Sequence, residues 1–153
     1  MVNIQSHYLS PDLYKEVEGY CYNADYYYGE RDHPNAIPTG LVHNLQLDSL
    51  IVSYFPKEQK NLSLVRAYIN YFAAGEHPKF HVDHGKLTSL YYINTDDYNI
   101  DEGGCTEIIT HPQYITSILP YKNTLITFDA RLVHKATSFK TRPRFTIALK
   151  YDN

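Results

Sequence analysis

The texture of the second half of the chain is the strongest constraint on what it can fold into. From Leu62 onward, short runs rich in Val, Ile, Thr, Tyr and Phe alternate with turn-forming stretches. The runs are LSLVRAYINYF, TSLYYIN, CTEIIT, NTLITFD and RFTIALKY. The breaks are AAGEHPK, TDDYNIDEGG, HPQY, ILPYKN and FKTRP. β-Branched and aromatic side chains suit a pleated, half-buried surface. Several such runs at regular spacing read as an all-β barrel or sandwich. Aromatic usage points the same way, with 16 Tyr, 6 Phe and no Trp. Tyrosine places a hydroxyl on a flat apolar body, which suits both a sheet and a polar pocket.

The first 60 residues read differently. Ser10 can cap a helix, Pro11 fits its first position, and Asp12 sits well at the positive end of its dipole. Leu9, Leu13, Val17, Tyr20 and Cys21 then fall at helical spacing, which predicts one amphipathic helix to about Tyr22. Residues Asn23 to Thr39 contain Tyr26, Tyr27 and Tyr28 followed by Gly29, Pro34 and Pro38. This is a loop, and at its length a candidate lid over a substrate. Leu45 to Phe55 fits a short helix or a strand equally. The length of 153 residues fits one domain. The expected plan is therefore mainly β with an N-terminal helix: residues 1–60 as helical and loop support, residues 62–151 as a β core.

Charge narrows the function. Lys+Arg 14 against Asp+Glu 17 gives a net charge of -3, which excludes a broadly basic nucleic-acid binder. Cys21 and Cys105 are too few and too far apart for a disulfide framework or a zinc knuckle. The N-terminus shows no basic and apolar signal segment, and no apolar run approaches the ~18 residues of a membrane span. The expectation is a soluble, cytoplasmic protein.

Phe80-His81-Val82-Asp83-His84-Gly85 is the sharpest local motif. In an extended segment His81 and Asp83 project to one face, because strand side chains alternate. One imidazole and one carboxylate on a face make two thirds of the 2-His-1-carboxylate triad that holds non-haem Fe(II). His134 is the natural candidate for the third ligand, 51 residues beyond Asp83 and between two predicted strands, with His84 and His77 as rivals nearby. The triplet is short, and a single His–Asp pair is more often a surface hydrogen bond than a metal site. His84 is offset by one and faces away on a strand, and His77 precedes Pro78 in a turn. Ten residues after His134 stands Arg144, opening a strand with Arg144, Thr146 and Ala148 on one face. An arginine aimed into an enclosed site is costly unless it meets an anion. Its fork fits a carboxylate. The pattern predicts a small carboxylate-bearing ligand beside the metal.

From Arg66 to Tyr151 the chain resembles the 2-oxoglutarate- and Fe(II)-dependent oxygenases, within them the prolyl 4-hydroxylase-like group. RAYINYF followed by HVD resembles the approach to the family's HxD motif, and LTSLYYIN its next strand. DEGGCTEII resembles its Gly-Gly segment, NTLITFDARLVHKA the approach to its distal histidine, and RFTIALKY its closing strand. The resemblance implies a double-stranded β-helix, or jelly-roll, core. It implies His81, Asp83 and His134 as Fe(II) ligands and Arg144 as partner of the distal carboxylate of 2-oxoglutarate. Tyr92 and Tyr71 match tyrosines of the cofactor pocket, and Thr146 matches a hydroxyl paired with the arginine. The implied reaction hydroxylates a C–H bond with O2 while 2-oxoglutarate is decarboxylated to succinate. The implied substrate is a prolyl residue in a peptide or protein, or a similar small molecule.

Three other readings compete. A barrel could bind metal or ligand without turnover, although such a barrel needs no buried arginine. The same ligand set can hold zinc in a hydrolase. Oxidative demethylation of nucleic acid would use a second arginine several residues after the first, and nothing basic follows Arg144 until Lys150. Gly103-Gly104 would allow tight backbone geometry near the site. The basic residues Arg131, Lys135, Lys140, Arg142 and Lys150 read as a solvated face, leaving only Arg144 buried.

Overall fold

The computed structural model of the chain describes residues 1–28, 39–94 and 97–153. In chain order its elements begin with β1 (Asn3–Ser6), α1 (Pro11–Asn23), β2 (Leu41–Leu45), α2 (Leu50–Ser53), β3 (Glu58–Gln59) and β4 (Leu62–Phe72). There follow β5 (Leu87–Ile93), a 3-10 turn (Ile100–Glu102), β6 (Thr106–His111), β7 (Tyr114–Ile118), β8 (Thr124–Asp129), β9 (His134–Ala136) and β10 (Arg144–Asp152). The larger sheet has the order β1-β8-β5-β10-β4-β2, with β3 paired to β4, and the smaller the order β7-β6-β9. All pairings are antiparallel. No helix among the described residues is long and apolar enough to cross a membrane.

β10 lies in the middle of the larger sheet, between β4 and β5. Its register sets Thr146 opposite Asn70 and Tyr92, and Ala148 opposite Tyr68 and Leu90. Directly opposed residues share a face of the sheet. One face therefore carries Tyr68, Leu90, Tyr92 and Ala148, packed with Ile108 and Ile118 of the smaller sheet. The other face carries Ile69, Tyr91, Ile147 and Leu149. Tyr14, Val17 and Cys21 of α1, at helical spacing, cover that second face.

The start of α1 follows from its cap. The Ser10 hydroxyl accepts from the Leu13 N–H at 3.3 Å, and Pro11 occupies the first helical position. The undecided segment Leu45–Phe55 is a strand end followed by the single turn of α2. Tyr27 pairs with Val42 through N–H···O bonds of 3.0 and 2.9 Å. That contact sets one end of the proposed Asn23–Thr39 lid along β2, but residues 29–38 of the lid lie outside the described residues. β7 escaped the sequence reading. It is exposed along most of its length, so its side chains follow no apolar alternation.

One residue docks the N-terminal segment onto the sheet. Asn123 adopts a positive φ of 54° in the turn before β8. Its side-chain oxygen accepts from the Leu9 N–H at 2.8 Å and from the Tyr91 hydroxyl at 2.7 Å, and its amide donates to the Leu9 carbonyl at 2.8 Å. Each bond is buried, so removing the amide strands several groups without water to replace it. Asn123→Ala should destabilise the protein by about 3 kcal/mol in chemical denaturation, well above the loss from an exposed Asn.

Candidate metal and anion site

His81, Asp83 and His134 converge. One ligand atom from each lies within 4.8 Å of the others. The His134 Nε2 is 3.2 Å from one Asp83 carboxylate oxygen, and the His81 Nε2 is 3.7 Å from the other. Backbone pairing holds the segments together. The N–H of His81 donates to the carbonyl of His134 and the reverse, both at 2.9 Å, and the Asp83 N–H donates to the Ala130 carbonyl at 3.0 Å. Thus the HVD segment extends the smaller sheet beyond β9 and faces its ligands inward.

Both rings are oriented from behind. The Nδ1 of His81 is 3.0 Å from the Lys79 carbonyl, and that of His134 is 2.7 Å from the Leu132 carbonyl. A carbonyl can only accept, so each Nδ1–H donates to it, and each ring is thereby held with its Nε2 toward the carboxylate. Two imidazole Nε2 atoms and a carboxylate converging in this way could hold a divalent metal with open positions. Burial pushes the Asp83 carboxyl up, but the hydrogen bond with His134 and the Lys150 ammonium outweigh it and hold the carboxyl well below the usual range. Asp83 is therefore anionic at neutral pH.

The cluster opens into a cavity of about 290 Å³ whose walls include Tyr68, Asn70, Leu90, Thr106, Arg144 and Thr146. Arg144 is 1% exposed. Its Nε donates to the Gly104 carbonyl at 2.9 Å, and its two terminal nitrogens to the Thr146 hydroxyl at 2.9 Å and the Thr106 hydroxyl at 3.1 Å. Every one of those acceptors is neutral, and burial pulls the guanidinium below its ordinary value. A guanidinium has five N–H donors, so the fork keeps capacity for an anion. A buried cation that meets only neutral acceptors among the described residues suits an anion such as a carboxylate.

Tyr92 lies under this arginine, with the guanidinium 5.6 Å from its ring centroid. Its hydroxyl donates to the Thr106 hydroxyl at 2.7 Å. Tyr92 thus backs the arginine from below, and Thr146 orients it from the side. Tyr71 requires correction. Opposite Phe145 on the helix-covered face, its ring packs against Tyr26 and Phe145 at 5.5 and 5.2 Å, away from the cavity. The tyrosine of β4 that does line the cavity is Tyr68. His84 lines the cavity without joining the cluster.

Three participants were missed in the sequence. Thr106 receives bonds from both Tyr92 and Arg144. Thr88 donates to Asp83 at 2.7 Å. Lys150, expected on a solvated face, is 8% exposed and forms an ion pair with Asp83. Strand parity was the available signal, since Lys150 is six residues beyond Arg144 and shares its face.

Gly103 and Gly104 both have φ of +78°. A Cβ on Gly104 would fall inside contact distance of the Phe139 ring. Gly75 has a similar φ of +76° but open space around it. Gly104→Ala should therefore destabilise by about 3 kcal/mol, strain and overlap together, and Gly75→Ala by about 1 kcal/mol from strain alone. Thermal unfolding of the two variants checks the difference.

The comparisons with known proteins concern the fold. No protein-family model matches the sequence, and no curated protein matches it. Solved structures do. A prolyl-4-hydroxylase from Pseudomonas putida aligns with TM-score 0.80 and 13% identity over 99% of this chain and 92% of that one. A prolyl hydroxylase from Trichoplax adhaerens, in complex with a peptide fragment of the hypoxia inducible factor oxygen degradation domain, aligns with TM-score 0.77 and 16% identity over 99% and 83%. HygX from Streptomyces hygroscopicus, with nickel and 2-oxoglutarate bound, aligns with TM-score 0.70 and 9% identity over 99% and 82%. The mainly β, two-sheet antiparallel architecture is consistent with the jelly-roll of these oxygenases.

Proposed function

We propose that this chain is a 2-oxoglutarate- and Fe(II)-dependent oxygenase built as a single catalytic domain, with residues 1–60 supporting a β core over 62–151. One observation carries the proposal. Arg144, a buried cation held by neutral acceptors, lines the same cavity as a His-Asp-His cluster. The cluster suits a metal and the arginine suits the far carboxylate of a dicarboxylate that also reaches the metal. The shared fold with HygX, which was solved with nickel and 2-oxoglutarate, supports the pairing.

In this reading His81, Asp83 and His134 hold Fe(II), and Arg144 anchors 2-oxoglutarate. Bound together, iron and 2-oxoglutarate supply the oxidising chemistry that uses O2 to hydroxylate a C–H bond and yields succinate. The protein's own work is positional. The Lys79 and Leu132 carbonyls keep the two imidazoles turned inward. Gly104, Thr106 and Thr146 fix the plane of the Arg144 fork. Phe72 and Leu90 give the cavity apolar walls that limit water. No protein nucleophile or general base is required.

For the substrate we propose a prolyl residue in a peptide or protein. The fold shared with two prolyl hydroxylases supports it, one of them in complex with a peptide. A small-molecule substrate is the competing choice. Nucleic acid ranks below both, because the net charge is -3. The proposed compartment is the cytoplasm.

The iron-loaded protein should convert 2-oxoglutarate to succinate, faster with a proline-containing peptide that is its substrate. His134→Ala should abolish this turnover. Arg144→Ala should raise the apparent KM for 2-oxoglutarate by about 10- to 100-fold, the range for losing a charge-assisted pair. An unchanged KM would remove the cosubstrate role of Arg144.

A further inference from the structure

Lys150 sits where a metal-binding chain has least obvious use for a cation. Its ammonium pairs with the Asp83 oxygen Oδ2, the same oxygen that lies 3.2 Å from the His134 Nε2. It also donates to the Thr88 hydroxyl at 3.3 Å, and Thr88 in turn donates to that Oδ2 at 2.7 Å. Its nitrogen is 5.8 Å from the Tyr68 ring centroid. Lys150 and Asp83 side chains are each 10% exposed, so the pair is poorly screened by water.

We infer that the Lys150 ammonium is a built-in counter-ion that occupies part of the metal's place on Asp83 and competes with the metal for it. The inference rests on the metal-site reading above. Asp83 is the one carboxylate of the cluster, and the Lys150 ammonium is the cation placed directly against it. Without this ammonium the metal-free cradle would hold a nearly buried carboxylate with no opposite charge, which is strongly destabilising. With it, an arriving divalent ion meets a cation across the same carboxylate and is repelled. Lys150 therefore keeps the metal-free site assembled and makes the metal easier to release. A lysine that only packed the core, or only oriented Asp83, would not act in both directions.

The test compares wild type, Lys150→Met and Lys150→Arg in the full chain at one fixed neutral pH. Metal affinity is read from free Mn(II) by electron paramagnetic resonance, and Tm is taken without metal. In Lys150→Met, Mn(II) should bind about tenfold tighter while the metal-free Tm falls by about 5 °C or more. Lys150→Arg, which keeps the charge, should stay near wild type in both. Weaker or unchanged Mn(II) binding in Lys150→Met would overturn the inference. A loss of about tenfold or more is the usual result of removing an outer partner that only orients a ligand.

Should Lys150→Met fail to fold, the wild type answers instead. On adding Zn(II), the side-chain nitrogen resonance of Lys150 should shift in ¹⁵N-lysine-labelled protein, and an unmoved resonance would overturn the inference. Failure of the underlying metal reading looks different. In that case wild type would bind no Mn(II), or bind it equally well after Asp83→Ala.

Discussion

The register of β10 between its two neighbours is the constraint on which the site depends. Pairing with β4 and β5 places Arg144, Thr146 and Lys150 on one face of the larger sheet and Phe145, Ile147 and Leu149 on the other. A one-residue slip would exchange the two sets. The Arg144 guanidinium would then enter the apolar layer under α1, and two large aliphatic side chains would fill the cavity. Seven residues of β10 are paired on both sides, so the slip is opposed along the whole strand. The hydrophobic layer and the polar cavity are two faces of one pairing.

Charge is handled in two ways within this cavity. Arg144 is surrounded by neutral acceptors, which satisfy part of its hydrogen-bonding capacity and none of its charge. Asp83 is opposed by an ammonium and held anionic. One end of the cavity is therefore electrostatically incomplete and the other compensated. In the proposed function, such an asymmetry would orient a dianionic small molecule before any contact with a metal is made.

Legibility in the sequence followed the range of the interactions involved. The spacing of His81 and Asp83 is local, and their convergence with His134 was readable from the flanking strands. Arg144 and Thr146 share a face through simple alternation within one strand. Tyr71 was misplaced because its face depends on how β4 registers against β10, which no local pattern carries. The same register brings Tyr68 into the cavity in its stead. Lys150 had the right parity, but a lysine ordinarily implies solvent. Its burial depends on Asp83, which is supplied from a segment 67 residues away. Thr106 and Thr88 matter only through the groups they meet in space.

The reciprocal backbone bonds between His81 and His134 join residues separated by 53 positions. That pairing ties the assembly of the ligand cluster to late, long-range steps of folding. A loop of this size must close before the two imidazoles can meet, and the entropy of closing it is recovered only when neighbouring strands are in place. The nascent chain therefore cannot assemble the three-residue cradle until residues past His134 have been made. In the proposed function, a metal would meet these three residues as a closed sheet presents them rather than as a flexible peptide would.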